Sequence, residues 1–182
     1  ETTVEHDEQP GKGKPDKIPQ LRPAFAKDGT ITAATSSSIS DGAAAVVLSR
    51  ESVAKANGQQ PVAKIVAMAA HAQEPAQFTV APIGAIEKVL DKAGWSADEV
   101  ELWEVNEAFA CVAMFAMRDI GIPHDKINVN GGGTALGHPI GASGTRIIVT
   151  LLNALKQQGK KRGVASLCIG GGEATAVAVE LV

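Results

Sequence analysis

The sequence predicts an α/β fold in which a mainly parallel sheet lies between layers of helices. From Pro61 onward, strand-like and helix-like apolar patterns alternate along the chain. The composition agrees: 45% of the 182 residues are hydrophobic, yet only 3% are aromatic and none is tyrosine. The core must therefore be built from Ala, Val, Ile and Leu, the residues that buried strands and their covering helices use. The length suits one domain, or one domain with pieces of another.

The elements follow in order. Residues 1–20 are polar, carry Pro10, Pro15 and Pro19, and read as an irregular loop, either a mobile linker or a functional one. Residues 21–40 set Ser36, Ser37 and Ser38 between two short apolar patches. The apolar run Asp41–Leu48 is compatible with a strand or a buried helix. Residues 49–60 read as a polar helix ending at Asn57-Gly58. Val62–Ala70 is a strand. Ile83, Ile86, Val89, Leu90 and Ala93 recur at helical spacing until Gly94 stops them. Val100–Val105 is a short strand, and Glu107–Ile120 is a helix apolar on most sides, hence expected to be buried. Ser143–Gln158 is a helix on Ile147, Ile148, Leu151, Leu152 and Leu155. Gly163–Ile169 and Glu173–Leu181 are strands joined as a hairpin through Gly170, Gly171 and Gly172.

A net charge of −3 gives no electrostatic reason to expect nucleic acid or an anionic membrane surface. Apolar runs stay short of the ~18 residues that a membrane-spanning helix needs. Two cysteines at unrelated positions do not make a disulfide framework or a zinc site, and they point to a reducing compartment, taken as cytoplasmic.

Chemistry concentrates in three fragments. Asn128–Gly144 crowds glycines around His138, which sits between Gly137 and Pro139; no helix or strand tolerates that composition. Cys168 opens into a second glycine cluster. Asn106 leads the fragment Asn106-Glu-Ala-Phe-Ala110. Each of the three has a bland reading. His138 is a loop histidine tied to backbone, Cys168 a small buried hydrophobe, and Asn106 the N-cap of the following helix. Taken together, one Asn, one His and one Cys at the edges of apolar segments suggest acyl chemistry. Neither a Gly-x-x-x-x-Gly-Lys-Ser/Thr sequence nor a Gly-x-Gly-x-x-Gly spacing after a strand is present, which rejects nucleotide binding.

The motifs Asn106-Glu-Ala-Phe, Gly137-His-Pro and Cys168-Ile-Gly-Gly-Gly resemble, in order and spacing, those of the carboxy-terminal half of the thiolase family. The resemblance runs from Leu21 to the end. It implies a layered α-β-α fold around a mixed, mainly parallel five-stranded sheet. Residues 1–39 would end a loop domain, 40–61 would return to the amino-terminal half, and 62–182 would form the complete carboxy-terminal half. It also implies that this chain, which starts at Glu1, is the second part of a longer polypeptide whose first part holds the nucleophilic cysteine.

The implied activity is reversible Claisen condensation of acyl-CoA with acetyl-CoA, or thiolysis of 3-ketoacyl-CoA in fatty acid metabolism, with coenzyme A thioesters as substrates and no further cofactor. His138 would activate the nucleophile and bind the enolate oxygen. Cys168 would be the acid/base, as a thiolate of lowered pKa. Asn106 would hold a water in the enolate oxyanion hole, and the Gly170 amide would bind the tetrahedral oxyanion. Ser37, Phe78 and Phe109 would line the pantetheine arm; for the serines the plain alternative is a solvated turn, and for the two phenylalanines simple core packing. Glu107 reads only as a favourable first-turn charge, and Cys111 as core. The expected partners are the missing half and further copies, as a homodimer or homotetramer.

Four departures leave acyl preference open: Ser38 where glycine is usual, Phe78-Thr-Val-Ala-Pro82 in place of Met-Gly-Thr-Gly-Pro, Glu173-Ala-Thr-Ala176 after the last glycines, and Pro10-Gly11 where a basic residue is expected near the adenine end, with Lys12, Lys14 and Lys17 as substitutes. The rival readings are a non-catalytic thiolase-like subunit for assembly or coenzyme A binding, and a decarboxylating ketoacyl synthase, which pairs two histidines where Asn106 and Cys168 stand.

Overall fold

The computed structural model describes residues 2–182. The chain forms two compact units that divide between Ala34 and Thr35. The first unit is nearly all surface. Its helix α1 (Glu8–Lys12) is one turn long, because Pro10, Gly11 and Gly13 allow no more, and the Asp7 carboxylate caps it at the Gln9 amide, 2.9 Å away. A 3-10 segment follows over Pro15–Gln20, and Ala24 N–H donates to Ile31 O at 2.8 Å to close a loop.

The second unit holds the sheet. Its elements are α2 (Glu51–Ala56), β1 (Ala63–Ala72), α3 (Ala81–Ala93), β2 (Leu102–Val105), α4 (Ala110–Ile120), α5 (Gly133–Leu136), α6 (Ser143–Gln157), β3 (Arg162–Ile169) and β4 (Glu173–Leu181). The four strands run in the order β1-β4-β3-β2.

The sheet is mixed, as expected, but the expected sheet was mainly parallel and five-stranded, whereas the observed one is four-stranded and mostly antiparallel. Only β2–β3 is parallel, while β3–β4 and β4–β1 are antiparallel. A tight turn forces antiparallel pairing on β3 and β4, and β4 then presents its other edge to β1. Where a fifth strand would lie, Ile127 makes one parallel bridge to Trp103. The backbone then leaves the sheet, because Asn128 takes a left-handed conformation (φ 47°) just before the glycine run.

Both faces of the sheet are covered, which is the expected layering. On one face α3 and α4 pack onto Ala69, Trp103, Val105, Val164, Ala174, Ala176 and Ala178. The small alanines of β4 let α3 lie close, and α3 inserts Ala85, Ile86 and Val89, each fully buried. Removing Ile86 down to alanine costs about 2–5 kcal/mol at such a site. Helix α3 ends where the spacing predicts: Gly94 is left-handed (φ 67°), and Trp95 N–H reaches back to Leu90 O at 3.0 Å. On the other face α6 sets Ile147, Leu151, Ala154 and Leu155 on Leu102, Ala165 and Val179.

Two expectations change here. Helix α4 starts at Ala110, not near Glu107, and only Val112, Ala113 and Ala116 are buried, so it is one-sided; Met114 points outward. The apolar run Asp41–Leu48 is neither strand nor buried helix. It has no regular secondary structure, makes no strand pairing among the described residues, and leaves Val47 95% and Leu48 71% exposed. No described helix is long and apolar enough to cross a membrane.

Candidate active site

Parallel β2 and β3 end side by side, and their carboxyl ends carry two of the three motifs, the usual place for a ligand in an α/β sheet. Asn106 follows β2 directly and its N–H donates to Ser166 O at 2.9 Å, so it stands beside the end of β3, where Cys168 sits two residues on. The third motif comes from the glycine loop. Asn106 Nδ2 lies 3.4 Å from His138 Nε2. Asn106 is 1% exposed, and its Oδ1 has no hydrogen-bond partner among the described residues. It is not the N-cap of α4, a position that Phe109 fills. A buried amide with one orphaned oxygen, aimed beside an imidazole, is costly unless used.

The glycine loop is tied down from three sides. Glu107 accepts from Asn128 Nδ2 (2.9 Å), Thr134 N (3.1 Å) and the Thr134 hydroxyl. Asn128 in turn brackets Val105, accepting from its N–H and donating to its carbonyl, both at 2.9 Å. Glu107 is therefore the clasp between the end of β2 and the loop, not a first-turn helix charge. From the other side, His138 N–H donates to Ser38 O at 2.9 Å. Gly137 makes that approach possible: its φ is +89°, and a Cβ there would lie 2.3 Å from Ser40 Oγ.

Below the loop lies α6. His138 Nδ1 is 2.6 Å from Ser143 Oγ, which donates to Pro139 O at 3.1 Å. One turn on, Arg146 reaches Glu104 Oε2 at 3.4 Å. Glu104 is 1% exposed on β2, and its Oε1 and Arg146 Nη2 are both unpartnered among the described residues. Burial pushes the Glu104 carboxyl up to about 7, against the pull of Arg146. Burial, then the Arg146 charge, hold His138 below the ordinary histidine value.

Cys168 closes β3 as part of the core beneath α3 and α4. Burial pushes its thiol up, with the neighbouring Cys111 adding to the rise, so the expected thiolate of lowered pKa is corrected: no cation faces Cys168 strongly enough to offset desolvation. Gly170, just past the strand, is exposed and has open space around its α-carbon. Cys111 is half-buried at the start of α4, its thiol also raised by burial.

Ser37, Phe78 and Phe109 come together. Ser37 bonds Ala108 O through both its amide (3.1 Å) and its hydroxyl (3.0 Å), while the rings of Phe78 and Phe109 meet at 6.2 Å between centroids. The serines are thus not a solvated turn: they bind the Asn106 loop through Ser37 and the His138 loop through Ser38. Since the Ser37 hydroxyl proton is already used, only its lone pairs remain for a ligand.

Ser143, Glu104, Arg146 and Glu107 were missed by sequence reasoning. A serine opening a helix and a glutamate inside a strand look ordinary; only the apolar neighbours of Glu104, Leu102, Trp103 and Val105, hinted that it is buried.

An α/β layer that sets the Asn106–His138 contact beside β3, the strand that carries Cys168, offers an amide, an imidazole and a thiol near the carboxyl ends of its parallel strands, the groups that acyl transfer uses. Comparison with known proteins gives the family. The model of the thiolase C-terminal domain matches residues 59–181, and that of the thiolase N-terminal domain matches residues 1–52. A probable acetyl-CoA acetyltransferase of Dictyostelium discoideum is 49% identical over 98% of this chain and 43% of its own. The crystal structure of the Bacillus anthracis acetyl-CoA acetyltransferase superposes with a TM-score of 0.89 at 42% identity, covering 92% of this chain and 42% of that one. A thiolase of Ascaris suum in complex with coenzyme A gives 0.88 at 38% identity, covering 98% and 47%. The chain belongs to the thiolase family, and it spans less than half the length of these relatives.

Proposed function

We propose that the chain supplies the acid–base part of the active site of an acetyl-CoA acetyltransferase or 3-ketoacyl-CoA thiolase, and that the remainder of the protein supplies the acyl-accepting cysteine. The observation that carries this reading is the partly buried Asn106–His138 contact, set beside β3, the strand that carries Cys168. In this reading residues 1–39 end a loop domain, 40–61 return to the first half, and 62–182 are the second half.

The chemistry follows from the groups. His138 takes the proton of the nucleophilic thiol, and the resulting thiolate attacks the thioester carbonyl of an acyl-CoA. The Gly170 amide supports the oxyanion that forms. As the carbon–sulfur bond to coenzyme A breaks, the Cys168 thiol gives its proton to the leaving sulfur and becomes a thiolate. A thiol raised by burial is protonated at rest and strongly basic once ionised, which suits both halves of that exchange. The Cys168 thiolate then removes a proton from the methyl group of acetyl-CoA. Asn106, through a water, and His138 hold the enolate oxygen. The new carbanion attacks the acyl carbon, a carbon–carbon bond forms, and the nucleophilic thiolate leaves. Run backwards, the same steps cleave a 3-ketoacyl-CoA. Phe78 and Phe109 supply an apolar wall for the pantetheine arm, with Ser37 lone pairs beside it.

The exposed apolar residues support the missing part. Val46, Val47 and Leu48 on the unpaired segment, and Ile65 and Met68 on the edge strand β1, are the surface that a second half would cover. Assembly as a homo-oligomer, and a reducing compartment such as the cytoplasm for the two free thiols, belong to the same reading.

The test separates the two half-reactions in the full-length protein. Cys168→Ser is expected to accept an acetyl group from acetyl-CoA yet to lose condensation by about 100- to 10,000-fold. His138→Ala is expected to lose acylation itself. A Cys168→Ser enzyme that condenses at the wild-type rate, or normal acylation in His138→Ala, refutes the assignment and favours the coenzyme A-binding subunit.

A further inference from the structure

We propose that Ser143 is a positioning residue that fixes His138 in the tautomer with its proton on Nδ1, leaving the Nε2 lone pair to receive a proton. This deepens the acyl-transfer reading above and rests on it.

The inference follows from which atoms can donate. Ser143 opens α6 and is 0% exposed, so no solvent competes for its hydroxyl. Its Oγ lies 3.1 Å from Pro139 O and 2.6 Å from His138 Nδ1. A carbonyl oxygen only accepts, so the single hydroxyl proton of Ser143 goes to Pro139. Only lone pairs then face the imidazole, and the hydrogen of the short contact sits on Nδ1. A neutral imidazole has one N–H, so Nε2 is bare.

The opposite edge of the ring agrees. The group facing Nε2 is Asn106 Nδ2, which only donates. At 3.4 Å that amide holds the lone pair weakly and can yield it to a proton donor.

The relay has no slack. Pro139 O also accepts the amides of Ala142 (2.8 Å) and Ser143 (2.9 Å), which fixes the acceptor, and His138 N–H is held by Ser38 O. Among the described charged groups, Arg146 is the one whose charge reaches the ring; it opposes a second proton there and is itself paired with Glu104. Once Nε2 has taken a proton, both ring nitrogens donate. The same nitrogen is then base in the first half-reaction and hydrogen-bond donor to the enolate in the second.

The direct experiment is nitrogen NMR of the full-length protein labelled at histidine, at about pH 8, above the ordinary histidine pKa, with His138→Ala used to assign the signal. The expected spectrum shows a protonated Nδ1 and a bare Nε2; the reverse pattern overturns the proposal. In Ser143→Ala the tautomer is expected to be lost, and the acylation rate to fall roughly 10- to 100-fold with KM for acetyl-CoA unchanged. Unchanged acylation also overturns it. If Ser143→Ala does not fold, the wild-type spectrum decides. Normal acylation of His138→Ala refutes the underlying base assignment, whatever the spectrum shows.

Discussion

Two titratable residues, a half-buried base and a buried acid, set how the site responds to pH. His138 is held below the ordinary 6.5 by burial and then by Arg146. The neutral imidazole, the form that the proposed acylation step needs, therefore persists as pH falls through 6.5. The acidic limb of the acylation rate is expected below that value, and Arg146→Met should move it upward; a wild-type limb at or above 6.5, measured by pH-dependent acylation, contradicts the account. Glu104 shifts the other way, from 4.5 to about 7. A carboxyl raised on folding stabilises the fold fully below 4.5 and loses that contribution as pH rises through about 7. Relative to Glu104→Gln, the wild type should lose roughly 3 kcal/mol across that window, from the linkage of ~1.4 kcal/mol per unit. Chemical denaturation at the two ends checks it, and a difference that does not change with pH refutes it.

The elements that carry these residues were unequally legible. Helices α3 and α6 were readable because apolar spacing reflects the one buried stripe that holds each, and Gly94 marked the end of α3. The start of α4 was not: Glu107 mimics a first-turn acid, whereas its carboxylate is spent on Asn128 and Thr134 in a loop distant in sequence. The hairpin of β3 and β4 was legible from its glycine turn, but the antiparallel pairing of β1 with β4 was not, because alternation of strand and helix reports sequence order and not which edge a distant strand joins. Asn106, His138 and Cys168 stood out since each interrupts an apolar segment in a way that packing alone does not require. Ser143 and Glu104 did not, because their burial is a tertiary fact. At this scale the most fragile joint is the contact of the glycine loop with Ser38 and Ser40. Gly137→Ala must adopt a left-handed backbone and push Ser40 aside, which should cost roughly 1–3 kcal/mol and misplace His138. A loss of acylation larger than the loss of stability is expected; wild-type behaviour in both would show that the loop is not strained there.

For the whole molecule, the proposed function is a division of labour between this chain and the rest of the protein. This chain holds an amide, an imidazole and a buried thiol near one end of a sheet, while its irregular apolar segment at Val46–Leu48 has nothing to pair with among the described residues. Both cysteines have reasons not to be the nucleophile: burial raises each thiol, and no described cation lowers either. The measurement that bears most directly on this is to trap the acyl-enzyme of the full-length protein with labelled acetyl-CoA and map the label by peptide mass spectrometry. The account predicts a label on a cysteine outside residues 1–182 that disappears in His138→Ala. A label on Cys111 or Cys168 would contradict it.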